Sequence, residues 1–362
     1  MDSTIPNVFQ KVEPRLEAPI KQTNAKIVVI GTGGAGNNSV TRLSEIGGAA
    51  GATSCIMNTD AQQLETSKAE KKLLIGEKLT QGLGAGGYPE VGRQAALQSK
   101  DSIKQVLKGA HLVFLTAGMG GGTGTGSAPI IAELAKDEGA IVVSTVTTPF
   151  DMERARIGKA EEGLTELRQV SDTVIVIDNN KLVEFVPDLP LNEAFAVGDE
   201  LIASMIKGIS ETITVPSLVN LDYADVRAVM NGGGVAMIGV GEGSEGNKVE
   251  EAVEGALTHP LLDVDYKGGN GAIIHVTGGP GMTLSDVTKA GNLISAQLDS
   301  RAQVIWGTRI VPEMNDKMRI MAIITGVKSP NILGMRQNGA ICSYKERMKP
   351  EVMKELRIDC VT

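Results

Sequence analysis

Gly118-Met119-Gly120-Gly121-Gly122-Thr123-Gly124-Thr125-Gly126-Ser127 decides how the rest of this chain is read. An apolar run, residues 111–117, leads into it, and residues 128–136, apolar at helical spacing, lead out. A buried strand therefore passes through a loop with six glycines in nine residues and into a helix. Glycine lets the backbone turn sharply and lets an anion approach the amides closely. Thr123, Thr125 and Ser127 add hydroxyl donors, and the helix start behind them favours negative charge. The stretch reads as a phosphate cradle. A flexible linker of the same composition has no reason to sit between a buried strand and an amphipathic helix.

Upstream, residues 26–30 form a short buried strand, followed by Gly31-Thr32-Gly33-Gly34-Ala35-Gly36-Asn37-Asn38 and a helix over 39–46. Gly31, Gly33 and Gly36 fit the dinucleotide pattern G-x-G-x-x-G, and Asp60, after the strand 53–57, stands where a ribose-binding acid belongs. A third glycine patch, residues 82–87, precedes a helical stretch over 90–107. A nicotinamide-dependent oxidoreductase needs only the first patch. Three patches in one α/β unit suit a nucleoside triphosphate better. The chain has no G-x-x-x-x-G-K-[ST] sequence and no lysine within the glycine runs, so amides, hydroxyls and a bound cation must balance the phosphates.

Further strands are expected at 73–75, 140–146 and 172–177, with a helix over 152–170. The fold class is α/β: a doubly wound, mostly parallel, Rossmann-like sheet whose ligand lies at the C-terminal strand edge. A long central helix spans 191–214, with apolar residues on more than one face. Strands at 235–240, 271–276, 303–306 and 319–325, with helices at 248–257 and 284–298, read as a smaller α+β domain packed on that helix. The last two strands lack an intervening helix, so this sheet is expected to be mixed. The organisation is a flexible arm (1–24, with one short helix around 6–11), a nucleotide-binding domain (25–190), the central helix, a loop with a short helix (215–234), the α+β domain (235–328) and a tail (329–362).

Bulk properties narrow the function. The net charge is −8, and no long basic run offers a nucleic-acid surface. No apolar run reaches the ~18 residues of a spanning helix, so direct membrane insertion is not expected. Cys55, Cys342 and Cys360 are far apart and have no ligand-like spacing, as for free thiols in a reducing cytosol. The histidines at 111, 259 and 275 form no triad or metal set and read as structural.

Asn220, Asp222 and Asp225 are the second constellation. Two carboxylates three residues apart at a helix start face one direction. They either cap the helix, polarise water, or do both. Glu153 and Arg156 read as a helix face, and Phe195 reads equally well as core.

Together these motifs resemble the tubulin/FtsZ superfamily of filament-forming GTPases. Residues 120–126 look like its signature loop, supported in order by residues 31–38, 58–60, 82–87, 147–150 and 220–225. The likeness spans residues 25–328 and is nearest the FtsZ branch, archaeal members in particular. It implies GTP or GDP as ligand, with Mg2+. Gly34, Ala35, Gly36, Asn37 and Asn38, with Gly121, Gly122, Thr123 and Gly124, then hold the phosphates, and Thr147 lines the site. Glu153 and Arg156 meet the ribose, Asn179 and Asp199 bind guanine, and Phe195 stacks on it. Asp222 and Asp225, with Asn220, reach the γ-phosphate held by the next subunit, so hydrolysis depends on polymerisation. Head-to-tail assembly is heterologous and open, which gives a homopolymeric filament. The resemblance further implies a cytoplasmic protein at the mid-cell division ring, tethered by membrane-anchoring division proteins. Two departures stand out. The family's arginine four residues after the glutamate falls on Ile157, so Arg156 takes its place, and the anchor-docking terminal peptide has no recognisable counterpart before Thr362. A scaffold member of the family with slow hydrolysis is the other reading, against which both aspartates speak.

Overall fold

The structure is a computed structural model that describes residues 25–215, 217–219, 221–231, 234–258 and 265–327. The expected arm with its short helix, the tail, Asn220, His259, Cys342 and Cys360 lie outside the described residues. Strand and helix alternate first as β1 (Ile27–Thr32), α1 (Gly33–Glu45), β2 (Ala52–Asn58), α2 (Ala61–Thr66) and β3 (Lys71–Leu74). Three helices follow, α3 (Glu77–Thr80), α4 (Pro89–Gln98) and α5 (Lys100–Leu107). Then come β4 (Leu112–Gly118), α6 (Thr123–Asp137), β5 (Ile141–Thr148), α7 (Arg154–Val170), β6 (Thr173–Asp178) and α8 (Asn179–Phe185). The central helix is α9 (Leu191–Thr214), followed by α10 (Tyr223–Met230). The remainder is β7 (Gly234–Gly243), α11 (Lys248–Leu257), β8 (Gly271–Gly278), α12 (Leu284–Ser295), β9 (Gln303–Ile310) and β10 (Met318–Thr325).

All ten strands belong to one sheet in the order β3-β2-β1-β4-β5-β6-β7-β10-β8-β9. The first six are parallel, in the doubly wound order expected. β6 meets β7 through only two pairs, Thr173↔Gly234 and Val174↔Val235, so the C-terminal strands continue the sheet across a narrow seam. The antiparallel part is β10 against β7 and β8. β9 and β10 are not neighbours despite their short connection, because β8 lies between them and pairs with β9 in parallel.

β1 is buried at all six positions and β4 at six of seven, which is why both read as unbroken apolar runs and not as alternating ones. α9 is contacted on several sides, as its apolar spread requires. Leu201, Ile202, Met205, Ile206 and Ile209 are buried. Toward α1 and the turn after it, Ser39 donates to Asp199 at 2.6 Å, Lys207 donates to the Ile46 carbonyl at 2.7 Å, and Thr214 donates to that of Ala50 at 2.9 Å. Toward the C-terminal strands, Gly208 leaves room for the Met321 sulfur. The helical stretch 90–107 breaks at Ser99, whose hydroxyl accepts from the Gly76 amide at 2.9 Å. α2, α3 and α8 are too short to show a helical period in sequence.

Glycines at alternate positions seat α11 on β7. A Cβ on Gly239 would lie 1.7 Å from the Ala256 carbonyl oxygen, and one on Gly241 2.1 Å from that of Ala252. Backbone stands in the way, so no side-chain rotation relieves the clash. Gly239→Ala is therefore expected to lower stability by about 1–3 kcal/mol in urea denaturation; a loss within error would mean that α11 does not rest on β7.

Candidate functional site

The chain turns to opposite sides of the sheet after β1 and β4, so the crevice at their carboxyl ends is a topological switch point. β1 runs directly into a helix there, and β4 does so after the four residues 119–122. α1 begins at Gly33 and α6 at Thr123, five or six residues earlier than the apolar periodicity indicates. Gly34, Ala35, Gly36, Asn37 and Asn38, like Thr123 and Gly124, are thus helical turns and not loop. Low propensity does not exclude glycine here, because first-turn amides have no intrahelical partner to lose and the backbones must come together.

The two helix starts touch. Gly33 has φ +69°, and a Cβ on it would lie 2.8 Å from the Gly124 amide nitrogen. The Thr32 and Ser127 hydroxyls share a hydrogen bond of 2.6 Å across the junction. Gly36 lets α1 lie on β4, since a Cβ there would come within 2.3 Å of the Thr116 carbonyl oxygen. Neither helix has a side-chain cap or an acidic residue in its first turn. Two positive helix ends with free first-turn amides therefore converge on one point, a site built for several negative charges.

The other glycine patch and the turn after β2 close on the same place. Gly122 abuts Ala85 and the Tyr88 amide, with a Cβ position 2.8 and 2.9 Å from them. Thr59 and Thr123 share a hydrogen bond of 2.7 Å, and the Gly84 amide donates to the Thr59 carbonyl at 3.0 Å. Asp60, the ribose acid of the dinucleotide reading, caps α2 by accepting from the Gln63 amide at 3.1 Å. Of the predicted phosphate residues, Ala35 and Asn38 are exposed, and Gly34 and Gly121 are half-buried. Asn37 is fully buried; its amide serves the Gly31 and Gly33 carbonyls and Asn58, so it supports the turn from behind. Gln63 was not singled out in sequence, yet its amide nitrogen lies against Gly34, 2.9 Å from the position a Cβ would take. Only its place three residues after the cap Asp60 marks it.

The remaining predicted residues lie along the same edge. Thr147 is the penultimate residue of β5 and is half-buried. Glu153 accepts from the Phe150 amide at 3.0 Å and from Arg156 at 2.5 Å, so it organises the turn before α7 and is not a free helix face. Gly120 lets the α7 backbone at Arg156 approach the glycine stretch. Asn179 opens α8, after Asp178. Phe195 is 40% exposed and meets Phe150 edge-on at 5.8 Å, so it is not core. Burial pushes the Asp199 carboxyl up to about 6, against the pull of the Ser39 hydrogen bond and the Arg42 charge. From β1 through β4 and β5 to β6 is about 14 Å at ordinary strand spacing. The edge thus offers an anion cradle at the ends of β1 and β4 and, about that far away, Asn179 after β6; α9 brings the exposed Phe195 ring against Phe150, beyond β5, and the Asp199 carboxylate against Ser39 of α1.

Asp222 and Asp225 lie at the other edge. Asp222 caps α10, accepting from the Asp225 amide at 2.8 Å, while Asp225 accepts from the Asp222 amide at 3.2 Å. The capping reading is therefore correct. It still leaves one oxygen of each carboxylate without a protein partner among the described residues. The Tyr223 hydroxyl donates to the His111 carbonyl at 2.9 Å, which places this end of α10 beneath the start of β4. The glycine stretch leaves the far end of that seven-residue strand, about 20 Å away. The acids cannot reach their own chain's anion cradle. Among the described residues no cluster of three or more His, Cys, Asp or Glu could hold a metal.

Comparison with known proteins agrees with both halves of the sheet. Residues 26–187 match the family model described as Tubulin/FtsZ family, GTPase domain, and residues 234–328 that of FtsZ family, C-terminal domain. The chain is 58% identical over 334 residues to cell division protein FtsZ 2 of Methanocaldococcus jannaschii, covering 91% of this chain and 86% of that one. Against cell division protein FtsZ 1 of Archaeoglobus fulgidus the identity is 49% over 329 residues, 91% and 89% of the two chains. An empty FtsZ dimer from M. jannaschii superposes with a TM-score of 0.79 at 47% identity, over 89% of this chain and 96% of that one. CetZ2 from Haloferax volcanii, solved as a GTPgS-bound protofilament, shares the fold at a TM-score of 0.73 and 22% identity, over 84% and 95%.

The capping geometry separates the fold role of Asp222 from any chemical one. Asp222→Ala is expected to cost about 1 kcal/mol in urea denaturation and Asp222→Asn only a few tenths, because asparagine caps equally well. Equal losses would show that the cap is not what Asp222 contributes to stability.

Proposed function

The chain belongs to the FtsZ family of cell-division GTPases, and from that premise we propose that it polymerises head to tail and hydrolyses GTP only between subunits. One observation carries this reading: the anion cradle and the carboxylate pair occupy opposite ends of β4. A second copy displaced along the strand axis brings the carboxylates of one subunit over the cradle of the next. The interface is heterologous and open, hence a filament.

In this reading the first turns of α1 and α6 hold the phosphates through Gly34, Ala35, Gly36 and Asn38 on one side and Gly121, Gly122, Thr123 and Gly124 on the other. Asn37 supports the turn. Thr147, Glu153 and Arg156 flank the ribose, Phe195 stacks on the base, and Asn179 and Asp199 read guanine. Asp222 and Asp225 of the adjoining subunit, with Asn220, orient the attacking water. Positioning and charge stabilisation are what phosphoryl transfer requires. Mg2+ fits without a protein carboxylate cage, since it keeps most of its waters and binds chiefly through phosphates, whose charge it neutralises. The filament is assigned to the cytoplasmic mid-cell division ring, and its membrane attachment to separate anchoring proteins. No described helix is long and apolar enough to cross a membrane.

Sedimentation with GTP, GDP or NAD, alongside phosphate release at increasing protein concentration, tests the reading. GTP-specific pelleting and a rate per molecule that rises above a threshold concentration are expected; a rate independent of concentration would overturn the shared site. Asp222→Asn should bind GTP normally and lose turnover.

Guanine recognition by Asp199 has a pH signature. An ionised carboxylate accepts from both N–H groups of the guanine edge, and a protonated one does not. With its folded value raised to about 6, Asp199 protonates as the pH falls through 6, so GTP affinity should weaken there. Its effect on folding runs the other way: burial penalises the charged form, so Asp199 detracts from stability as the pH rises through 6. Asp199→Asn should remove that step from the affinity profile and shift preference from guanosine to xanthosine triphosphate. Unchanged base preference would take Asp199 out of the base site.

A further inference from the structure

Asp222 stands between two anchors. On one side Leu221 is buried and lies against Gly307 of β9, where a Cβ would come within 2.9 Å of its side chain. On the other side Tyr223 reaches the nucleotide half of the sheet. Its hydroxyl donates to the His111 carbonyl at 2.9 Å, and its ring meets the imidazole edge-on at 5.7 Å. His111 is itself held firmly. Its Nδ1 accepts from the Lys26 amide at 2.9 Å, and its carbonyl also accepts from the Ile141 amide at 2.9 Å. Lys26 precedes β1, His111 precedes β4, and Ile141 opens β5, so the acceptor of the Tyr223 hydroxyl is fixed by three adjacent strands.

The far end of α10 has a pin of its own, the Thr173 hydroxyl donating to the Met230 carbonyl at 3.1 Å at the start of β6. From β4 to β6 is about 10 Å at ordinary strand spacing, and eight helical residues span about 12 Å, so α10 lies as a bar across three strand ends. Its buried residues, Val226, Val229 and Met230, all lie beyond its first three residues. In the first turn Asp222 and Ala224 are exposed. The capping box fixes the two carboxylates relative to the helix, and Leu221 supplies a non-directional apolar contact. The Tyr223 hydroxyl supplies the directional bond between the first turn and the nucleotide half. Burial raises the phenol's pKa, which keeps the donated proton in place.

We propose that Tyr223, seated on His111, is a positioning residue for GTP hydrolysis: it sets the height and rotation of the Asp222–Asp225 carboxylate pair beneath β4. The inference rests on the reading that this pair serves a neighbour's nucleotide. Losing the hydroxyl leaves α10 docked by Val226, Val229 and Met230 and lets its start pivot. A misplacement of ~1 Å near a reacting group costs up to about 100-fold in rate.

Tyr223→Phe in the full chain removes the hydrogen bond and keeps the ring. Turnover at saturating GTP, well above the assembly threshold, is expected to fall between about 10- and 100-fold, with GTP affinity, threshold concentration and thermal midpoint unchanged. His111→Ala keeps the main-chain acceptor and loses only the ring, so its loss should be smaller. Thr173→Val, at the far end of the bar, should leave turnover unchanged. Wild-type turnover by Tyr223→Phe, or a fall matched by lost pelleting or lower thermal stability, overturns the positioning role. The two failures are distinguishable: normal turnover by Asp222→Asn removes the shared site itself, whereas an inactive Asp222→Asn beside a normal Tyr223→Phe removes only this inference.

Discussion

The amino termini of α1 and α6 can meet only because no side chain stands between them. Gly33 and Gly124 face each other at a separation that any Cβ would close, and Gly36 brings α1 down on β4 in the same way. The consequence is electrostatic. Two helix ends, each with a partial positive charge and unspent first-turn amides, point at one small volume. The turns that carry Thr59 and Gly84 close around that volume and hold it without contributing a basic side chain. A polyanion balances such a cradle, and the family's nucleotide supplies one.

β4 links this cradle to the rest of the mechanism. One end of the strand enters the glycine stretch; the other carries His111, on which α10 rests. A strand of seven residues is stiff and of set length, so the distance between phosphate cradle and carboxylate pair is set by the fold and not by a loop. That separation keeps the carboxylates of one chain away from its own cradle, and the proposed head-to-tail assembly rests on it. α9 braces the arrangement. Through Ser39, Lys207 and Thr214 it follows α1 and the turn beyond, and through Gly208 it touches β10, so one helix runs from Phe195 and Asp199 to the segment before α10.

Legibility in sequence followed length and periodicity. The boundaries of α9 and α11 were readable to the residue, because each is a long or well-patterned amphipathic run. The helix starts at Gly33 and Thr123 were not, since their first turns are glycine-rich and look like loop to any propensity argument. Phe195 could not be told from core until its exposure and its contact with Phe150 were visible. Gln63 and Tyr223 carried no signal of their own, because their importance lies in what they touch across the fold.

By itself the sequence determined the kinds of elements, the three glycine patches, the capping pair Asp222 and Asp225, and through them the resemblance to a filament-forming GTPase. Local pattern suffices for these, because backbone hydrogen bonding and burial repeat with the period of each element. Only the tertiary structure decided that all ten strands join in one sheet, that β8 separates β9 from β10, and that cradle and carboxylates lie at opposite ends of one strand. Strand order and the meeting of distant turns depend on contacts between residues far apart in the chain, which no local period encodes.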